Sequence, residues 1–131
     1  MHTLNAYMVM RDGKPWFAGG TPGGDQQTQW STQVVSNIVD YGMSVQEAIE
    51  APRWYSFPGT DPANLGFDPA IRVERRVGDL AIRTLEQYGH QVESLPDWGG
   101  GGAVQVVMFD DERGILRGGS DPRPGGLALG M

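Results

Sequence analysis

The sequence lacks cysteine, contains a single lysine and two histidines, and has no long apolar run. Without cysteine the chain can form no disulfide, no zinc–thiolate site and no cysteine nucleophile. A membrane-spanning helix needs about 20 consecutive apolar residues, so no membrane partner is predicted. The net charge is −6 and Lys14 is the only lysine, which argues against a nucleic-acid partner because phosphate binding depends on clustered lysine and arginine.

Familiar catalytic and metal-binding patterns are also missing. The sequence contains neither the Gly-x-Ser-x-Gly turn of many esterases nor the His-Glu-x-x-His motif of zinc proteases. Its two histidines, His2 and His90, lie far apart, and the acidic run Asp110–Glu112 is typical of a hydrated hairpin tip. We therefore predict no metal site and no cofactor.

Glycine and proline are abundant instead, with 20 and 9 residues among the 131. Both residues favour turns, so a large part of the chain is expected to be loops. The length suits one domain, and the sequence shows no internal repeat and no change of composition that marks a boundary. Residues 1–131 are therefore predicted to form a single domain.

A glycine-rich turn at residues 19–27 connects strand-like sequence to helix-like sequence. Before it, Asp-Gly at 12–13 predicts a hairpin over about residues 5–20, and the apolar run at 7–10 is typical of strands buried on both faces. After it, Trp30, Val34 and Ile38 recur at helical spacing. Glycines at a helix start let unpaired N–H groups face an anion, and a tight turn without a ligand is the alternative. The Gly-Lys-Ser/Thr of nucleotide-binding loops is absent, which argues against a nucleotide.

The remaining patterns predict an α+β fold, in which helices cover a mainly antiparallel sheet. The first helix is predicted over Gln26 to Tyr41, with Gly42 after its end. Ser44 and Glu47 form a capping-box pattern, which predicts a short second helix that Pro52 ends. Strands are expected at 53–57 (or an aromatic loop there), 71–74, 91–93, 103–109 and 115–119, with a third helix at 77–88 and a long loop at 58–69.

Three motifs occur in a fixed order along the chain. They are Gly-Thr-Pro-Gly-Gly at residues 20–24, Ala-Pro-Arg at 51–53 and Ser-Asp-Pro-Arg at 120–123. In this order and spacing, over nearly the whole chain, they resemble the small subunit of the gamma-glutamyltransferase family. The resemblance implies part of an N-terminal-nucleophile hydrolase fold, an αββα sandwich of two sheets between helix layers. It also implies that the chain is the C-terminal part of that subunit.

The resemblance assigns a role to the paired glycines. Family members cleave their own precursor to expose a threonine, whose hydroxyl attacks a gamma-glutamyl or related amide while its amine acts as general base. In the family, the last two glycines of the first motif donate N–H groups to the oxyanion, and Gly23 and Gly24 match them. The threonine lies upstream of these motifs in the family, so this chain is expected to supply the oxyanion hole without the nucleophile.

The resemblance also suggests substrate contacts. The adjacent serines that hold the substrate's α-carboxylate in the family correspond to His2 and Thr3. Together with Asn5 and with Asp25, which follows the glycines, these are the predicted substrate-binding residues. Thr21 stands where the family motif has serine, which is similar to the hydrolase and acylase branch.

The expected partners are a small-molecule amide or gamma-glutamyl substrate and an upstream segment or large subunit of the same precursor. The alternative is a stand-alone, non-catalytic binding or assembly domain derived from the same fold. A truncated sandwich would expose a sheet edge and the apolar faces that its missing half covers, which favours a homo-oligomer. No targeting signal is recognisable, and cytoplasmic and periplasmic or secreted locations both remain open.

Two loop features complete the expectations. Arg53 and Arg123 each follow a proline, and we expect them to hold carboxylates or carbonyls, with Asp121 orienting one of them, rather than to act in catalysis. The glycine run at residues 99–102 either lines the mouth of the pocket or is a flexible loop.

Overall fold

The structure is a computed structural model that describes residues 3–130. Its strands and helices follow the order predicted from the sequence. The strands are β1 (Leu4–Arg11), β2 (Lys14–Pro22), β3 (Trp54–Phe57), β4 (Ala70–Glu74), β5 (Val92–Leu95), β6 (Gln105–Asp110) and β7 (Ile115–Ser120). The helices are α1 (Gln26–Val39), α2 (Val45–Glu50) and α3 (Asp79–Gln87), with 3-10 turns at Pro62–Asn64 and Arg75–Val77.

The strands form two sheets. The large sheet has the order β1-β2-β6-β7 and is antiparallel throughout, and the small sheet has the order β3-β4-β5. In the small sheet β3 pairs antiparallel with β4, while β4 and β5 run parallel across the crossover helix α3. The predicted α+β class with mainly antiparallel pairing is confirmed.

Local sequence signals explain several boundaries. Asp12 and Gly13 adopt positive φ angles of 52° and 76°, as a two-residue hairpin turn requires. Ser44 and Glu47 form the predicted capping box, in which the Ser44 hydroxyl accepts from the Glu47 N–H and the Glu47 carboxylate accepts from the Ser44 N–H at 2.9 Å. The first helix ends two residues before Tyr41, the predicted end.

The core lies between the large sheet and helices α1 and α2. The apolar stripe of α1 and the buried face of α2 pack on alternate residues of β2 and β6. Phe17 and Ile49 are fully buried at its centre, and Val106 is 2% exposed. This face of the sheet is closed, which agrees with the apolar character of the strands.

The opposite face of the large sheet, called the outer face below, carries apolar side chains that are exposed. Met8 and Val107, which both neighbour Ala18 across the sheet, are 57% and 42% exposed. Phe109 is 36% and Leu116 63% exposed. The prediction that the hairpin is buried on both faces is therefore wrong for residues 3–130, since the helices cover only one side.

Helix α1 also joins the two sheets. Strand β3 is the edge of the small sheet, and two glutamines of α1 bond to its free backbone groups. Gln33 accepts from the Trp54 N–H at 3.1 Å and donates to the Trp54 carbonyl at 2.8 Å, and Gln29 accepts from the Ser56 N–H at 2.7 Å. These side chains take the place of a further strand at an edge that would otherwise be open to pairing.

Candidate active site

Four segments meet at one end of the large sheet. In the register of β1 with β2, Leu4 faces Pro22 and Asn5 faces Thr21, so the start of β1 lies beside the glycine turn. The Gln27 side chain, in the first turn of α1, donates to the Thr3 carbonyl and ties the two segments together. The Thr21 hydroxyl accepts from the Ala103 N–H at 3.1 Å, which brings in the approach to β6.

The structure thus places most of the predicted site residues in one neighbourhood. Thr3 is exposed and Asn5 is half-buried on the strand next to the turn that holds Gly23 and Gly24. Asp25 follows at the start of α1. His2 lies outside the described residues.

The glycine turn presents two backbone donors. Gly23 and Gly24 have positive φ angles of 142° and 57°, and their carbonyls accept from the N–H groups of Gln26 and Gln27 at 3.2 Å. Their own N–H groups donate to no other group within residues 3–130. Gly24 is exposed and Gly23 half-buried, and both precede the first turn of a helix, where the partial charge is positive. Such a pair of fixed donors can bind an anion or an oxyanion.

The Asp25 side chain turns toward a neighbouring loop. Its carboxylate accepts from both the backbone N–H and the hydroxyl of Thr60, the latter at 2.9 Å. These hydrogen bonds hold the pKa of Asp25 below its ordinary value. A Cβ placed on Gly59 would lie 2.8 Å from this carboxylate, so glycine is needed for the close approach. Asp25 therefore fastens the loop after β3 beside the glycine turn.

The glycine run at residues 99–102 has a fixed shape. The Gly100 N–H donates to Glu74 at 2.9 Å, and the Gly101 carbonyl accepts from Arg53 at 2.5 Å. Gly101 and Gly102 also pack against the ring of Trp30. Side chains from three other segments thus contact this run, which argues against the alternative of a merely flexible loop.

Behind the run lies a buried charge cluster, formed by Arg53, Glu74, Asp121 and Arg123. Arg53 contacts Asp121 at 2.8 Å, and Arg123 contacts Glu74 at 2.6 Å and Asp121 at 3.0 Å. These four side chains are at most 2% exposed. The prediction that the two arginines hold carboxylates and carbonyls is confirmed, since Arg123 also donates to the Ile49 and Ala51 carbonyls at 3.0 Å.

The cluster keeps its charges because each is compensated. Burial alone would raise the pKa of Glu74, but Arg123 and the N–H groups of Gly100 and Arg53 lower it below the ordinary value. Burial and the nearby Arg123 lower the pKa of Arg53, whereas the two carboxylates outweigh burial and raise the pKa of Arg123. The ionised cluster joins the ends of α2, β4 and β7 to the glycine run.

Three residues of this site were not singled out for it from the sequence. Glu74 ends a strand predicted to be half-exposed, yet it is fully buried. Trp30 matched the core stripe of α1, but its ring faces the glycines rather than the main core. For Gln27 the sequence predicts no particular contact. Their roles depend on contacts between distant segments, which no local pattern records.

Neither a metal cluster nor a spanning helix is found in the part of the chain that the structure describes. Residues 3–130 bring no three metal-binding side chains together in a suitable group. None of the helices described is both long enough and apolar enough to cross a membrane.

Comparison with solved structures identifies the class of fold. A mutant of the gamma-glutamyltranspeptidase from Helicobacter pylori is 25% identical, with a TM-score of 0.75 over 94% of this chain and 62% of that chain. The cephalosporin acylase from Bacillus halodurans is 28% identical, with a TM-score of 0.75 over 90% of this chain and 20% of that chain. The chain thus has part of an N-terminal-nucleophile hydrolase fold.

Sequence comparison then gives the family. A sequence profile of the gamma-glutamyltranspeptidase family matches residues 1–131, and the chain belongs to this family. The glutathione hydrolase-like YwrD proenzyme of Bacillus subtilis is 40% identical over 99% of this chain and 24% of its own length. The chain therefore spans about a quarter of the length of this curated relative.

Proposed function

We propose that this chain is the C-terminal portion of a gamma-glutamyltransferase-like amide hydrolase or acyltransferase, in which Gly23 and Gly24 form the oxyanion hole. The observation that carries the proposal is the pair of N–H groups in the glycine turn, which have no acceptor within residues 3–130 and stand at the start of α1. The nucleophilic threonine comes from a segment that precedes this chain in the full-length protein.

The proposed reaction is acyl transfer. The threonine hydroxyl attacks the carbonyl carbon of a gamma-glutamyl or related amide, and the threonine amine accepts the proton. The carbonyl oxygen becomes an oxyanion, which the N–H groups of Gly23 and Gly24 stabilise. The C–N bond of the amide then breaks, and the amine product leaves with the proton that the threonine amine had accepted. Water or an acceptor amine finally attacks the acyl-enzyme and releases the acyl group. One such donor contributes about 2.7–4 kcal/mol to the lowering of the barrier in comparable sites.

Substrate contacts are proposed at the same end of the sheet. Asn5 lies on the strand beside the glycine turn, Thr3 directly precedes that strand, and His2 precedes Thr3 in sequence. Asp25 contributes indirectly, because its carboxylate accepts a hydrogen bond from Thr60 and holds that loop beside the substrate. In this proposal, polar groups of the start of the first strand and of the loop at Thr60 surround the carbonyl that meets the donors.

The outer face of the large sheet supports the view that a larger molecule surrounds this chain. Met8, Val107 and Leu116 leave a broad apolar surface uncovered on a sheet whose other face is closed. The αββα fold covers such a face with a second sheet, and the similar proenzymes are several times longer than this chain. We propose that residues 1–131 are one unit of that larger fold, and that the rest of the protein is the partner that covers this face.

The donor role of the glycine turn can be tested with a matched pair of variants in the full-length protein. Gly24 and Gly114 have similar φ angles of 57° and 64°, and a Cβ added at either would contact nothing within 4 Å. Alanine at either position therefore introduces similar backbone strain, but only Gly24 is a proposed donor. We expect Gly24→Ala to lower kcat for hydrolysis of a γ-glutamyl 4-nitroanilide by about 10²-fold or more, because the strained turn no longer holds its N–H in place.

Gly114→Ala is the control, and it should retain nearly all of the activity at a similar loss of thermal stability. Equal activity of the two variants would exclude the oxyanion role of the glycine turn. N-terminal sequencing of the natural gene product gives an independent check, since the proposal requires a polypeptide that begins with a threonine upstream of His2.

A further inference from the structure

The indole of Trp30 is wedged between two glycine segments. A Cβ placed on Gly23 would overlap the Cζ3 atom of Trp30. On the other segment, a Cβ on Gly102 would lie 2.8 Å from Cε3, and one on Gly101 would lie 3.2 Å from Cη2. Only glycine allows the backbone to approach the ring this closely. The six-membered ring of the indole thus separates the glycine turn from the glycine run.

The glycine run, on one side of the indole, is held in place by hydrogen bonds. Arg53 donates to the Gly101 carbonyl at 2.5 Å and Glu74 accepts from the Gly100 N–H, and both belong to the buried charge cluster. Tyr55 meets the indole edge-on, with the ring centroids 5.9 Å apart. The indole therefore packs on a glycine run whose partners, Arg53 and Glu74, are fixed by ion pairs. The size of the indole then determines how closely Gly23 can approach that run.

A hydrogen bond from the indole N–H does not account for tryptophan at position 30. Trp30 is 5% exposed, and its Nε1 has no hydrogen-bond partner within residues 3–130. A buried donor without an acceptor lowers stability, so the indole contributes to this position through its ring, which fills the space between the glycines and whose centroid lies 5.7 Å from the guanidinium carbon of Arg53.

We propose that Trp30 is a positioning residue, which orients the N–H groups of Gly23 and Gly24 by holding the glycine turn at a fixed distance from the glycine run. The inference rests on the proposed oxyanion role of that turn. Trp30 touches no reacting atom, and it acts through Gly23. A smaller side chain leaves space into which the turn relaxes, and the two donors then rotate away from the oxyanion.

The test compares Trp30→Phe and Trp30→Leu with Val34→Ala in the full-length protein. Val34 lies one turn further along α1, is 2% exposed, and packs in the main core away from the glycines. We expect the Trp30 variants to lower kcat for γ-glutamyl 4-nitroanilide by about 10- to 100-fold, since a misplacement of about 1 Å can cost this much. KM should change by less than about threefold, and Trp30→Phe should retain more activity than Trp30→Leu.

Hydrogen exchange provides a readout that does not depend on activity. The Trp30 variants should accelerate exchange in the peptide that covers residues 19–26, whereas Val34→Ala should leave that peptide unchanged at an equal or larger loss of thermal stability. A Trp30 variant with wild-type kcat and wild-type exchange at 19–26 would overturn the inference.

The same set of variants separates this inference from the proposed function. If Gly24→Ala lowers kcat while the Trp30 variants behave like Val34→Ala, the positioning role fails and the oxyanion hole stands. If Gly24→Ala and Gly114→Ala have equal activity, the proposed function fails and the catalytic part of the inference fails with it.

Discussion

At the scale of single residues, the buried carboxylate of Glu74 accepts hydrogen bonds from several partners. Glu74 accepts hydrogen bonds from both nitrogens of the Arg123 fork at 2.6 and 2.9 Å, from Arg76 at 2.6 Å and from the Gly100 N–H at 2.9 Å. Removing one member of such a group leaves a buried charge uncompensated, which costs more than the loss of a surface pair. The carboxylate of Glu74 is therefore a main link between the glycine run and the rest of the molecule.

The lowered pKa of Glu74 makes stability depend on pH in a defined direction. Because the folded state holds this pKa below the ordinary glutamate value of about 4.3, the unfolded state binds a proton first as the pH falls. The stabilisation is thus fully present above about pH 5 and is lost as the pH falls through the folded pKa. We expect Glu74→Gln to lower the free energy of unfolding by about 3–5 kcal/mol at pH 7, and by less in acid, as measured by urea denaturation at several pH values.

Glu93→Gln is the matched control for this prediction. Glu93 pairs with Arg72 at 2.6 Å but is 49% exposed, so its removal should change the free energy of unfolding by at most about 1 kcal/mol. If Glu74→Gln showed an equally small effect and the same acid dependence as the wild type, the buried cluster would not stabilise the fold as described.

The residues of the candidate site differ in how visible they are in the sequence. Gly23 and Gly24 are recognisable because the conformation they need and the helix they precede are both local. The role of Glu74 is not recognisable, because Arg123 lies 49 residues away and Gly100 lies 26 residues away. Trp30 has the spacing of a core residue, and only the folded chain shows that its ring meets two glycine segments.

At the scale of elements, the strands and helices follow from local patterns to within a few residues. The hairpin turn, the capping box of α2 and the end of α1 before Gly42 each depend on neighbouring residues. The partition into two sheets and the parallel pairing of β4 with β5 do not, because pairing depends on how α3 crosses over. Local patterns do not reveal the open outer face, since apolar strands look the same whether or not their cover is present. It agrees instead with the expectation, drawn from the family resemblance, that a truncated sandwich exposes apolar faces.

The contact between α1 and the edge strand β3 leads to a prediction at this scale. Gln33 accepts from and donates to the backbone of Trp54, as a neighbouring strand would. Gln33→Ala removes both hydrogen bonds, and we expect the free energy of unfolding to fall by about 1–2 kcal/mol in urea denaturation.

Thr32→Ala provides the comparison for Gln33→Ala. The Thr32 hydroxyl is exposed and donates only to the Thr28 carbonyl of its own helix, at 2.8 Å. Its replacement should change the free energy of unfolding by less than about 0.5 kcal/mol. Equal effects of the two variants would mean that the glutamine contacts with β3 do not stabilise the joint between the sheets.

At the scale of the whole molecule, the chain is a member of the gamma-glutamyltranspeptidase family that spans about a quarter of its curated relative. It contains the glycine turn, the Trp30 indole that packs against this turn, and the buried charge cluster behind the glycine run. Its outer face is apolar and uncovered within the described residues. These features agree with a unit that is completed by the rest of a longer precursor, and they give no separate support to a stand-alone binding domain.

The most direct test of the oxyanion role is a crystal structure of the full-length protein treated with an aryl phosphonate ester analogue of a γ-glutamyl amide. The threonine hydroxyl displaces the aryloxide from phosphorus, and the resulting phosphonate mimics the tetrahedral intermediate. We expect a phosphonate oxygen about 2.7–3.1 Å from the backbone nitrogens of both Gly23 and Gly24, with the phosphorus bonded to an upstream threonine. A phosphonate bound to the threonine whose oxygens lie beyond about 3.5 Å from both nitrogens would contradict this role.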